Sequence, residues 1–141
     1  MSDGGLRQIF QKHLPKIHWQ SIETLIGRGT PDMNGCLSGQ EFWIENKLTS
    51  GWAVNFEIGR VAWHERRLRA GGRTFVAVRR LANSGPRKGA ACDELWLYRG
   101  QCIRQLEAEG LKETRLLATG LWVGGPARWH WDTIGNILLH H

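Results

Sequence analysis

The chain has 141 residues, 41% of them hydrophobic, and 19 Lys+Arg against 13 Asp+Glu give a formal net charge of +6. That length suits one domain spanning residues 1–141, while a pI near 9.8 points to a polyanionic partner, nucleic acid first, rather than to any particular fold. No apolar run approaches the roughly 20 residues that cross a bilayer, and Asp3 with the paired glycines after it departs from the charged-then-apolar layout of a signal peptide, so a cytoplasmic protein away from membranes is expected.

Leu6, Ile9, Phe10 and Leu14 recur at helical spacing, with Asp3 to cap the segment and Pro15 to stop it, which predicts a first helix over Gly5 to His13. Ile17 to Leu25 approaches alternation and reads as a first strand. Gly27, Gly29 and Pro31 then form a turn that delivers Asp32. Met33 to Leu37 is expected to be a short strand, Ser38-Gly39 a hairpin turn, and Gln40 to Leu48 a second, central strand. From about Asn55 to Ala70 the pattern is helical until Gly71-Gly72 ends it.

On that helix Arg60, His64 and Arg67 fall at i, i+4 and i+7, one basic stripe suited to phosphate contact. Arg73 to Leu81 reads as a strand buried on both faces, and the strand, helix, strand order implies a right-handed parallel crossover. The loop from Asn83 to Ala91 carries Arg87 and Lys88, further candidates for nucleic-acid binding. Glu94 to Tyr98 is expected as a short strand at an edge, Cys102 to Glu109 as a short helix, Leu111 to Leu117 as a connector, and Trp129 to Leu139 as a terminal helix. The fold class is therefore α/β.

Eight tryptophans are many for this length. Trp43, Trp63 and Trp96 are read as core or half-core, because an indole buries a large area. Trp52, in a loop beside Gly51, is set apart as a base-stacking candidate. Cys36, Cys92 and Cys102 form no close pair at zinc-site spacing and are expected to be reduced and buried or half-buried.

Chemistry concentrates in two places. In a strand, alternate side chains share a face, so Trp43, Glu45 and Lys47 lie on one side and Phe42, Ile44 and Asn46 on the other. A carboxylate beside an ammonium, with Asp32 arriving from the preceding turn, is a minimal set for metal-assisted attack of water on a phosphodiester. Asp32, Glu45 and the backbone carbonyl of Asn46 offer a hard cation such as Mg²⁺, with Mn²⁺ as a substitute, its preferred oxygen ligands, and Lys47 would face the developing charge. An internal salt bridge on an otherwise apolar strand is the structural alternative.

Gly29-Thr30-Pro31-Asp32, then Phe42-Trp43-Ile44-Glu45-Asn46-Lys47, then Val61 to Val78 resemble, in that order, the motifs of the PD-(D/E)XK nuclease superfamily, and within it the stand-alone VRR-NUC type of bacteriophages and bacteria. The resemblance covers roughly Ile22 to Arg80. It implies a restriction-endonuclease-like core, a mixed central β-sheet flanked by helices, with metal on Asp32 and Glu45 and Lys47 as the catalytic lysine. It also implies structure-selective endonuclease activity on branched DNA, and a homodimer that resolves Holliday junctions.

Two positions depart from the family pattern. Arg60 stands where a glutamine is usual, and the first helix lacks the acidic residue often found there, so Glu23 is the candidate third carboxylate. The rival readings are a DNA-binding protein that keeps a nuclease scaffold without efficient cleavage, where a fixed guanidinium replaces cation charge, and a basic structural protein with no site.

Overall fold

The computed structural model describes residues 3–22, 30–83 and 91–141, with side chains at 83 and 91 left aside. Glu23, Arg87 and Lys88 lie outside the described residues. The described elements, in chain order, are α1 (Leu6–His13), β1 (His18–Ser21), β2 (Met33–Leu37), β3 (Gln40–Thr49), α2 (Arg60–Arg69), β4 (Thr74–Asn83), β5 (Ala91–Arg99), α3 (Ile103–Glu113), β6 (Gly120–Trp122) and α4 (Trp131–His140). The strands form a single six-stranded sheet in sequence order, and this mixed α/β arrangement bears out the fold class at that level.

Among the described strands only β3 and β4 run parallel; the other neighbours are antiparallel. The parallel pair is the expected crossover through α2. Ser38 and Gly39 close the β2–β3 hairpin with φ of 53° and 78°, the positive values that a two-residue turn between twisted strands requires. From there the register runs out through Leu37↔Gln40 to Met33↔Ile44. That ladder brings the segment before Met33 alongside the middle of β3.

The sheet divides two apolar cores. On one face Phe42, Ile44, Phe75, Ala77, Leu95 and Leu97 pack with Leu6 and Phe10 of α1 and Ile134 and Leu138 of α4. On the other, Val76, Val78, Trp96 and Tyr98 pack against Ile103, Leu106 and Leu111 of α3. β4 contributes Phe75 and Ala77 to the first and Val76 and Val78 to the second, which is why it reads as a continuous apolar run. Trp43, Glu45 and Lys47 belong to the α2 and α3 side, with Glu45 opposite Val76 and Lys47 opposite Val78.

Several boundaries differ from expectation. The described part of the first strand is shorter than expected and ends at Ser21. α2 starts at Arg60, not near Asn55, because Gly59 takes φ 89°, and the preceding segment is drawn away by buried Val54 and by the amide of Phe56 donating to Glu107 Oε2 at 2.9 Å. β5 is longer than Glu94 to Tyr98 and is interior, since β6 covers its outer side. The short β6 carried no alternation long enough to be read. Leu111 belongs to α3, whose course bends at Gly110 (φ 82°, ψ 176°).

Candidate active site

Asp32 sits one residue before the last pair of the β2–β3 ladder, opposite the middle of β3. Its Oδ2 accepts the peptide N–H of Asn46 at 2.9 Å, so a side chain continues the pairing where the strand itself stops. In an antiparallel pair a residue turns its N–H and C=O to the same neighbour, so the Asn46 carbonyl shares the edge that faces Asp32. The Asn46 side chain points to the opposite core, where Nδ2 meets Met33 Sδ at 3.0 Å.

Glu45, 1% exposed, is on the same patch. Lys47 Nζ lies 3.9 Å from Glu45 Oε2 and 5.7 Å from the centre of the Phe56 ring, and its side chain is 15% exposed. The structure thus brings together the three side chains singled out from the sequence, Asp32, Glu45 and Lys47.

Arg60 enters this group from the first turn of α2. Its Nη1 donates to Glu45 Oε1 at 2.9 Å and to the Thr30 carbonyl at 2.6 Å, and stands 4.0 Å from Asp32 Oδ1. Nη2 donates to Glu57 Oε2 at 2.9 Å. One guanidinium nitrogen therefore occupies the space between the two carboxylates. Glu57 is the member of the group that the sequence reading did not include; its signal would have been its place three residues before Arg60.

The electrostatics follow from burial. Removal from water pushes the Glu45 carboxyl up to about 8, and nearby Asp32 adds to that, against the pull of Arg60 and Lys47. Burial also raises Asp32, opposed by the Asn46 amide and by Arg60, Arg7 and Lys47. Two carboxyls that resist ionising together form a place where added positive charge is strongly favoured.

The donor set matches a hard divalent cation: two carboxylates converging on one region of positive charge, with a main-chain carbonyl on the same edge. Among the described residues no third Asp, Glu, His or Cys is placed to share a metal ion with them, and the Glu57 carboxylate is taken by Arg60 Nη2. Arg60 supplies the neutralising charge in this arrangement.

The basic stripe on α2 needs correction. Arg60 is buried and bound to acids, and His64 is fully buried with Nδ1 2.9 Å from Thr74 Oγ1. Burial, then the charge of Arg60, lowers His64 to about 4, so it is a neutral core histidine. Neither faces solvent for phosphate contact, because this side of α2 packs on the sheet. Arg67 alone of the three is exposed. Trp52 is exposed, but the Arg80 guanidinium lies 3.8 Å over its ring and the Trp96 ring meets it at 6.3 Å and 82°. Trp96 is core and Trp43 and Trp63 are half-buried, as expected, and the three cysteines are free. No helix among the described residues is long and apolar enough to cross a membrane. No family model and no curated protein matches the chain.

Proposed function

We propose that this protein is a metal-dependent, structure-selective DNA endonuclease with a restriction-endonuclease-like core, hydrolysing phosphodiesters in branched DNA such as Holliday junctions and working as a homodimer. The observation that carries the reading is the convergence of Asp32, Glu45 and Lys47 on one patch, beside the free end of a strand pair.

In this reading Asp32, Glu45 and the Asn46 carbonyl hold Mg²⁺ or Mn²⁺. When bound, the ion polarises the scissile phosphate and lowers the pKa of water. Lys47, its Nζ 3.9 Å from Glu45 Oε2, faces the negative charge that builds on the phosphate. The Asn46 amide fixes the Asp32 carboxylate so that its other oxygen is turned to the shared space. Two copies would present two such sites to opposite strands of a junction, as paired incision requires.

A specific observation favours a second reading. Arg60 already bridges the carboxylates, and a guanidinium in that place lets the scaffold bind DNA with little cleavage. One experiment separates the two: cleavage and binding of a four-way junction, a flap and plain duplex, with Mg²⁺ or Mn²⁺, by wild type, Lys47→Ala and Arg60→Gln. The nuclease reading expects metal-dependent cuts in branched DNA by wild type and a loss of about 10²- to 10³-fold in Lys47→Ala with binding retained. Binding without cuts by wild type, and cuts gained in Arg60→Gln, would establish the second. A wild type that neither binds nor cuts would reject both in favour of a structural role.

A further inference from the structure

Two turns along α2 from Arg60, a second cluster lies outside the carboxylate site. The Arg67 guanidinium lies 5.4 Å from the centre of the Trp43 ring and 5.7 Å from that of Trp63, and the two indoles are 5.3 Å apart at 62°. Among the described residues Arg67 has no carboxylate partner and no side-chain hydrogen bond. Its stem rests on Gly72, where a Cβ would come within 2.8 Å of Arg67 Cγ. The arginine is therefore held in place by rings and a glycine rather than by an acid, and its five N–H donors stay open.

Arg67 separates two open cavities. One, of about 300 Å³, is lined by Trp43, Arg67, Gly71, Gly72, Arg73 and Glu41. Arg73 at its edge is already engaged, Nη1 donating to the Glu41 carbonyl at 3.4 Å and the guanidinium lying 5.5 Å from the centre of the Phe75 ring. Glu41 is already engaged by Asn34 Nδ2 at 3.0 Å. The other, of about 250 Å³, is lined by Trp63, Arg66, Arg67 and Ala70, an aromatic wall between cations. A fixed guanidinium with open N–H donors beside an indole suits an anion joined to a flat ring.

We infer that the Trp43–Arg67–Trp63 clip binds one unpaired nucleotide of a DNA strand, its phosphate on the Arg67 guanidinium and its base against Trp63. Trp43 is two residues from Glu45 on the same strand face, about 7 Å, and Arg67 is seven from Arg60, about 10 Å along the helix. The nucleotide would thus sit two to three stacked steps of about 3.4 Å from the carboxylates. The choice of DNA as polymer rests on the function proposed above; the clip itself does not depend on cleavage. It identifies the preferred substrate as a branch with single-stranded nucleotides next to the cut.

The test is fluorescence anisotropy in EDTA, so that absence of nuclease activity leaves the result unaffected. A labelled thymidine oligonucleotide and a blunt duplex of equal length are titrated with wild type, Arg67→Gln, Arg67→Lys and Gly72→Ala, each checked for an unchanged thermal midpoint. Loss of the stacked contact should weaken single-strand binding about tenfold in Arg67→Gln while duplex binding changes less than twofold. Arg67→Lys keeps the charge without the planar fork and should recover less than half of that loss. Gly72→Ala, which displaces the Arg67 stem, should weaken single-strand binding in the same direction, and it carries the test with Arg67→Lys if the glutamine variant does not fold. Unchanged single-strand binding, equal losses on both DNAs, or full recovery by lysine would overturn the inference.

Discussion

His64 illustrates how a residue with a functional appearance can be structural. It is fully buried, its Nδ1 faces Thr74 Oγ1, and its folded pKa is lowered to about 4 from an ordinary 6.5. An unfolded chain then binds more protons than the folded one between those values. Stability contributed by keeping this ring neutral is full above pH 6.5 and is lost as pH falls through the window toward 4, by about 3 kcal/mol. The buried Glu45 and half-buried Asp32 carboxyls, both raised, act in the opposite sense over this range and do so alike in a variant. The fall should therefore appear as the difference in denaturant unfolding from pH 7 to pH 4 between wild type and His64→Gln, which can still reach the threonine without titrating in this range. An equal slope in the variant would place the titration elsewhere. The lesson extends to Arg60: spacing on a helix tells which residues share a stripe, but only the packing of that stripe on the sheet tells whether it meets solvent or buried acid.

At the scale of elements, α3 and the loop after β3 are tied together at Gly110. That residue adopts φ 82° and ψ 176°, a region open to glycine alone among common residues. The next amide, Leu111, donates to the Trp52 carbonyl at 2.8 Å, and a Cβ on Gly110 would lie 2.8 Å from that same oxygen. Gly110→Ala therefore combines backbone strain with a clash against main chain, and a loss of about 1–3 kcal/mol in chemical denaturation is expected; a change under about 0.5 kcal/mol would show that the bend relaxes freely. Such features also mark where sequence reading ran short. The β2–β3 hairpin and the β4 run were legible because turn chemistry and apolar periodicity are local. The bend at Gly110, the late start of α2 at Gly59 and the three-residue β6 depend on contacts with distant segments, and none leaves a period to count.

In the whole molecule, the carboxylate patch exists only by assembly. Asp32 comes from the segment before β2, Glu45 and Lys47 from mid-β3, and Arg60 from the helix that begins the parallel crossover. Asp32, Glu45 and Lys47 were legible as a set because charge on an apolar strand next to a Pro-Asp turn is costly unless used. The place of Arg60 between the acids was not, since the helix phase and the fold of the preceding loop decide it. The net charge of +6 belongs to a molecule whose buried Glu45 and half-buried Asp32 are both met by the Arg60 guanidinium.

The most direct test is Mn²⁺ binding, followed by the electron paramagnetic resonance signal of the free ion, for wild type and Glu45→Gln at neutral pH without DNA. One Mn²⁺ bound per wild-type chain, with affinity at least tenfold weaker in the variant, is the expected result. Wild type that leaves all the Mn²⁺ free, or a variant that binds it equally well, would contradict a metal site built on Asp32 and Glu45.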